Sequence, residues 1–152
     1  MGAEERLQEL GLELPDAPAP IASYVPVVVT GNLAFVSGQV ASAEGKPMWA
    51  GKLGKDLDVE AGAEAARRCA LQLLAALKAE IGSLNSVRRI VKLTVFVASA
   101  DSFTDQPKVA NGASDLFVLL FGEAGPHARA AVGVAELPLG APVEVELIAE
   151  IG

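Results

Sequence analysis

The feature that most constrains the fold is an apolar run in the second half of the chain. Residues 90–97 read IVKLTVFV, which places apolar side chains on nearly both faces of an extended segment. Such a run is typical of a central β-strand that is covered on both sides. The chain therefore needs a sheet with one packed layer on each face.

Two amphipathic segments predict helices that provide one of these layers. Asp58 is placed to cap a helix over residues 59–81, where apolar residues recur at spacings of three and four until Gly82. Asp105 and Pro107 mark the start of a second helix that ends at Gly122. Cys69 lies beside the first apolar stripe and is expected in the core.

The other β-rich segments complete the sheet. Residues 24–29 and 33–37 flank a Thr-Gly-Asn turn and predict a hairpin, whereas residues 43–55 predict a loop with at most a short strand near 48–50. Residues 129–134 and 143–151 predict the last two strands. The order predicts an α/β domain, with a mixed sheet and two main helices on one face. Another copy of the chain is the simplest cover for the second face, which predicts a homo-oligomer.

The N-terminal segment is predicted to be an addition to this domain. Residues 4–10 predict a short helix, and the proline-rich residues 15–20 predict a stiff connector. We therefore divide the chain into residues 1–19, a helix with its connector, and residues 20–152, the α/β domain.

Composition excludes several classes of function. A formal net charge of −7 disfavours nucleic-acid binding, which draws most of its affinity from basic residues. One histidine and one cysteine give no metal-ligand spacing, so we expect no metal and no cofactor. No apolar run approaches the roughly 20 residues of a membrane span. The start lacks a secretory signal, so we expect a soluble protein in the cytoplasm.

The C-terminal strands carry the residues with the clearest chemistry. Arg129 has no acidic neighbour nearby in the sequence and is flanked by alanines, which suits a pocket for a small carboxylate. Glu144 lies at the start of the last predicted strand.

Several segments, taken in order, resemble the Rid family, the YjgF-like reactive-intermediate deaminases, some of which are labelled L-PSP endoribonucleases. The resemblance covers residues 20–151 and rests on the following segments: residues 21–24 (IASY), 33–39 (LAFVSGQ), 90–97 (IVKLTVFV), 128–132 (ARAAV), 137–138 (LP) and 143–146 (VEVE). It implies a chorismate-mutase-like subunit, and a homotrimer with a barrel-like core and ligand clefts between subunits. It also implies hydrolysis of enamines and imines, such as 2-aminoacrylate and 2-iminopropanoate, to 2-keto acids and ammonia.

The resemblance implies a role for individual residues. Arg129 would hold the substrate carboxylate through its guanidinium group, and Glu144 would activate the attacking water. Tyr24 would close the cleft and hydrogen-bond the ligand, or would only pack at a strand start. Gly38 would bring a backbone group close to the ligand, or would only mark a bulge or strand end. Ser37, which flanks the same place, would also bind the substrate. His127, two residues before Arg129, would line the same cleft, or would be a loop residue with no role.

The chain departs from the family pattern near the proposed cleft. Ala131 occupies a position that is usually polar or cysteine, and Pro126-His127 replaces an aromatic-proline pair. The departures indicate a longer, less characterised branch of the family. In the second helix, Asn111, Ser114 and Asp115 would either reach the cleft or serve local hydrogen bonding. The alternatives are a noncatalytic small-carboxylate binder or regulator, a purely structural role and, least favoured, an endoribonuclease.

Overall fold

A computed structural model describes residues 1–19 and 23–152 as one α/β domain. Besides three short 3₁₀ turns, three α-helices and seven strands make up the regular structure of these residues: α1 Ala3–Glu9, β1 Val27–Thr30, β2 Leu33–Val40, β3 Ser42–Ala43, β4 Lys46–Pro47, α2 Val59–Ile81, β5 Val87–Ala98, α3 Gln106–Phe121, β6 Ala128–Val134 and β7 Val143–Ile151.

Five of the strands form a mixed sheet in the order β1-β2-β7-β5-β6. Strands β5 and β6 are parallel and are connected through α3, while the other neighbouring strands are antiparallel. A parallel pair needs such a crossover because a tight turn cannot join its ends. The predicted mixed sheet is confirmed, and β6 lies at its edge.

The helices α2 and α3 pack on one face of this sheet, as predicted. In β7, Val143, Val145, Leu147 and Ala149 are buried and alternate with the more accessible Glu144, Glu146, Ile148 and Glu150. Asp58 caps α2 by accepting a hydrogen bond from the backbone N–H of Ala61 at 2.9 Å. The predicted core residue Cys69 is fully buried.

The opposite, outer face of the sheet is not covered within the described part of the chain. Val28, Phe35 and Val132 are each more than 40% exposed, and Phe96 is only partly buried. Within one subunit, the central strand β5 is therefore buried on one side only. That another copy of the chain covers the other side of β5 stays a prediction.

Residues 48–50, where the sequence allows at most a short strand, form none. The loop instead forms the short ladder of β3 and β4, joined by Glu44 and Gly45. Both turn residues have positive φ, 52° and 77°, which is the geometry of the two-residue turns that match the twist of a hairpin. Glu-Gly is a weak signal for such a turn, so the sequence placed the strand too late.

The predicted N-terminal helix is present as α1. Leu7 is buried against the core, whereas Leu10 is 42% exposed. Residues 20–22 lie outside the described part of the chain, and with them the end of the connector, the domain boundary and the first residues of the IASY segment. None of the described helices is both long enough and apolar enough to traverse a membrane.

Candidate functional site

Arg129 projects from the edge strand β6 toward α3, where two neutral groups hold it. Its Nη1 donates to Oδ1 of Asn111 at 2.8 Å and to Oγ of Ser114 at 3.1 Å. Asn111 and Ser114 lie three positions apart in α3, so they occupy the same helix face. Of the three polar residues predicted to reach the cleft or bond locally, these two contact Arg129, whereas Asp115 is exposed.

The anchored guanidinium has no ion-pair partner among the described residues and leaves one donor edge open. Within residues 1–19 and 23–152, no carboxylate lies within salt-bridge distance of Arg129. Both Nη1 hydrogens are used, while Nε and Nη2 have no hydrogen-bond partner in the same described residues. These two nitrogens form the edge of arginine that can grip a carboxylate through two parallel bonds. An exposed cation with this edge open is suited to a small anion.

His127 lies behind this arginine. Its Nε2 is 2.9 Å from Oγ of Ser114, and its Nδ1 is 2.7 Å from the carbonyl oxygen of Gly125. The imidazole and the ring of buried Phe117 pack edge to face, with their centroids 6.2 Å apart. The structure therefore places His127 beside the partners of Arg129.

Glu144 and Gly38 form a second cluster on the middle strands. A bulge interrupts the pairing of β2 with β7 between Val36 and Gln39, and it brings the backbone of Gly38 against the Glu144 carboxylate. A β-carbon at position 38 would overlap Oε2 of Glu144. Burial, together with the nearby charge of Glu146, raises the pKa of the half-buried Glu144. A carboxylate of this kind is suited to proton transfer.

Ser37 precedes Gly38 in β2 and holds the segment that follows Tyr24. The hydroxyl of Ser37 donates to the carbonyl oxygen of Val25 at 2.7 Å, and its backbone N–H donates to that of Pro26 at 2.8 Å. These bonds hold the segment after Tyr24 beside β2. Tyr24 itself is 54% exposed, so its ring is accessible.

The two clusters lie on opposite faces of the sheet. Arg129 pairs with Leu93 of β5, and Glu144 pairs with Phe96. Positions 93 and 96 differ by an odd number, so their side chains and those of their partners point to opposite faces. One subunit therefore does not bring Arg129 and Glu144 together. Across the described residues, no group of three or more metal-ligating side chains converges.

Comparison with known proteins places this architecture in a family. Residues 14–151 match the sequence model of the family described as Endoribonuclease L-PSP. The chain belongs to this family. The predicted resemblance is thereby confirmed, since relatives of the chain include proteins named as the RutC family and a deaminase named for iminobutanoate and iminopropanoate.

Two relatives differ in how specific their names are. "Protein TCP17" of Trypanosoma cruzi is 51% identical over 146 residues, which is 95% of this chain and 91% of that protein. A 2-iminobutanoate/2-iminopropanoate deaminase of Dermatophagoides farinae is 29% identical over 141 residues, covering 92% of this chain and 94% of the deaminase.

Solved structures agree with the fold of this family. The Agrobacterium tumefaciens protein Atu1372, described as having unknown function, superposes with a TM-score of 0.91 at 48% identity, over 99% of this chain and 92% of that chain. TdcF of E. coli with bound serine gives a TM-score of 0.63 at 28% identity, over 90% of this chain and 94% of that chain.

Proposed function

We propose that this protein hydrolyses small enamines and imines derived from amino acids, of the 2-aminoacrylate or 2-iminopropanoate type, to 2-keto acids and ammonia. The observation that carries the proposal is the guanidinium group of Arg129. Neutral partners fix its Nη1. Its Nε and Nη2 donate no hydrogen bond to any described residue. A carboxylate on the substrate would complete this donor set and fix the imine carbon in place.

Glu144 would supply the proton transfers. Its carboxylate accepts a proton from water as the water oxygen bonds to the carbon of the protonated imine, which gives a neutral carbinolamine. Return of that proton to nitrogen makes ammonia the leaving group. Glu144 then takes the hydroxyl proton as the C–O double bond forms and the C–N bond breaks, which leaves the keto acid. The raised pKa of Glu144 supports this role, because one group must both accept and give back the proton.

We further propose a homotrimer with a barrel-like core, in which neighbouring subunits share each site. Arg129, with His127 behind it, would come from one subunit, and the next would contribute Tyr24, Ser37, Gly38 and Glu144. Two observations support this arrangement. Arg129 and Glu144 point to opposite faces of one sheet, and the outer face exposes Val28 and Phe35. Contact between copies would cover these apolar side chains and complete the site.

The relatives support this reaction class over the others. One relative is named a deaminase of 2-iminobutanoate and 2-iminopropanoate, and a structural neighbour holds serine, an amino acid. RNA cleavage, which the family description names, fits this chain poorly, since a net charge of −7 opposes binding of a polyanion. A noncatalytic carboxylate binder would use the same Arg129 but would not need Glu144.

The first experiment measures keto-acid release from 2-iminopropanoate generated in the assay. Arg129→Ala is expected to raise KM about 10- to 100-fold, because hydrogen bonds to charged groups contribute about 1.5–3 kcal/mol. Glu144→Gln is expected to lower kcat roughly 10²- to 10⁴-fold while pyruvate binding persists. Release at the uncatalysed rate by the intact wild-type assembly would refute the deaminase. Pyruvate binding in that case would leave the carboxylate binder.

A second experiment tests whether subunits share the site. Arg129→Ala and Glu144→Gln subunits are unfolded, mixed in equal amounts and refolded together. If a cleft takes Arg129 and Glu144 from neighbouring subunits, random mixing leaves roughly a quarter of the clefts intact in cyclic trimers. About that fraction of wild-type activity should return. Mixed trimers, verified by mass, that stay inactive would refute the shared site.

A further inference from the structure

A chain of hydrogen bonds runs from Arg129 into the protein and ends at a backbone carbonyl. Ser114 is 9% exposed, and its Oγ lies within hydrogen-bond distance of both Nη1 of Arg129, at 3.1 Å, and Nε2 of His127, at 2.9 Å. Nδ1 of His127 is 2.7 Å from the carbonyl oxygen of Gly125.

With a neutral imidazole, the chemistry of the end groups gives every bond in this chain a direction. The Gly125 carbonyl can only accept, so Nδ1 of His127 carries a hydrogen. In a neutral imidazole Nε2 is then an acceptor, and the Ser114 hydroxyl donates to it. The remaining lone pairs of Ser114 accept from Arg129, which can only donate. All donors therefore point the same way, from Arg129 to Ser114, then to His127, then to Gly125.

Packing holds the far end of the chain. A β-carbon at Gly125 would lie 2.6 Å from Cα of Val118 and 2.7 Å from the carbonyl oxygen of Phe117, so this backbone rests directly on the end of α3. The Phe117 ring, which is fully buried, meets the His127 ring edge to face at an interplanar angle of 90°. The imidazole thus has a fixed place and a fixed orientation.

We propose that Ser114 and His127 are positioning residues that set the guanidinium of Arg129 for a ligand carboxylate. His127 acts through Ser114 and does not itself contact the ligand, in contrast to the sequence-based expectation that it lines the cleft. The chain of hydrogen bonds from Arg129 through Ser114 and His127 to Gly125, here called the relay, suits this task because it fixes Nη1 without bringing a negative charge to Arg129. This inference rests on the proposed function, in which Arg129 binds the substrate carboxylate.

Serine as a nucleophile is the competing interpretation of a Ser-His pair. The hydroxyl of Ser114 is almost buried, and one of its lone pairs accepts from a cation, which withdraws electron density from the oxygen that would attack. The two hydrogen bonds of Ser114, to Arg129 and to His127, are those expected of a residue that links two rigid groups. The geometry therefore favours positioning over nucleophilic attack.

Two substitutions of His127 separate the two ends of the relay. In His127→Gln, the side-chain oxygen can take the place of Nε2 and still accept from Ser114. In His127→Asn, the shorter amide can replace only Nδ1, so Ser114 loses its acceptor. Ser114→Ala removes the link altogether. Glu123→Gln, at an exposed position in the turn before Gly125, is the control.

The readouts are pyruvate binding by calorimetry and turnover of 2-iminopropanoate. We expect His127→Asn and Ser114→Ala to raise the pyruvate Kd and KM about three- to tenfold, the range of a neutral hydrogen bond, with kcat nearly unchanged. His127→Gln and the control should stay within about twofold of wild type. Equal values for the Gln and Asn variants, or a loss confined to kcat, would overturn the relay.

A third readout does not depend on activity. The chain has a single histidine, so the imidazole ¹⁵N spectrum reports on His127 alone. The relay requires the Nδ1–H tautomer in the wild type, and altered Nε2 shifts in Ser114→Ala. An Nε2–H tautomer would overturn the relay even if the enzyme is active. If the Nδ1–H tautomer is found but the protein binds no pyruvate, the proposed function is refuted, whereas the hydrogen bonds of the relay are supported.

Discussion

The backbone of Gly38 lies against the carboxylate of Glu144 across the bulged pairing of β2 and β7. No side chain fits between them with the carboxylate in this place, because even a methyl group would overlap Oε2 of Glu144 and push it aside. The position of the proposed general base therefore depends on a glycine in the neighbouring strand. This dependence is one of close approach, since Gly38 is not among the residues with positive φ.

Gly38→Ala is expected to displace the Glu144 carboxylate and lower kcat roughly 100-fold, the cost of moving a catalytic group by about 1 Å. Pyruvate affinity should change little, because Arg129 is elsewhere. Turnover and calorimetry measure the two effects. Gly45→Ala, in the exposed β3–β4 turn, is a control that strains a glycine with positive φ far from the proposed chemistry. Wild-type kcat in Gly38→Ala would contradict the role of Glu144.

The pH dependence of turnover should report on Glu144. A general base acts in its ionised form, so kcat/KM falls in acid through the pKa of Glu144, which burial and Glu146 raise. The acid limb should therefore lie above the ordinary range of glutamate. Glu146→Gln removes the repelling charge and should move this limb to lower pH.

Glu150→Gln is the matched control for that shift. Position 150 lies on the same face of β7 but six residues from Glu144, or roughly 20 Å along the strand. It should leave the acid limb in place. If both substitutions shift the limb equally, the titrating group is not Glu144.

Gly112 allows α3 to approach α2 closely. A β-carbon there would overlap the backbone carbonyl of Ala63. Glycine to alanine in a helix ordinarily stabilises by up to about 1 kcal/mol, but overpacking against backbone costs about 1–3 kcal/mol. We expect Gly112→Ala to lower the free energy of unfolding in urea. Lys108→Ala, exposed on the same helix, should change it by less than about 0.5 kcal/mol.

Glu4 links α1 to the end of α2. Its carboxylate accepts from Nζ of Lys78 and from the backbone N–H of Leu84, each at 2.8 Å. Burial acts to raise its pKa, but these bonds outweigh burial and lower the pKa. A lowered pKa in the folded state gives stability that is present above the unfolded value and lost as pH falls through the folded value.

Glu4→Gln is therefore expected to lower the free energy of unfolding at neutral pH by on the order of 1 kcal/mol. The difference from wild type should disappear in acid, where Glu4 is protonated in both states. Urea unfolding at several pH values measures this, with exposed Glu5→Gln as the control. A difference that persists in acid would contradict the assigned bonds.

Local patterns were sufficient to predict the main elements. The helices α2 and α3 follow from apolar spacing and end signals, and the buried residues of β7 follow from strict alternation. The β3–β4 turn was missed because Glu44 adopts a positive φ that its residue type rarely favours. The sequence places no acidic residue close to Arg129, and within the described residues no carboxylate lies within salt-bridge distance of it.

Periodicity and charge are local properties of the chain, so they are sufficient to predict the α/β class, the two helices on one face and an Arg129 without acidic neighbours in the sequence. The surroundings of these residues depend instead on how distant parts of the chain pack. The pairings of β5 with β6 and β7 put Arg129 and Glu144 on opposite faces. The packing of α3 on β6 made Ser114 and His127 the support of Arg129. Such contacts join residues distant in sequence, and strand register fixes them, which no local pattern encodes.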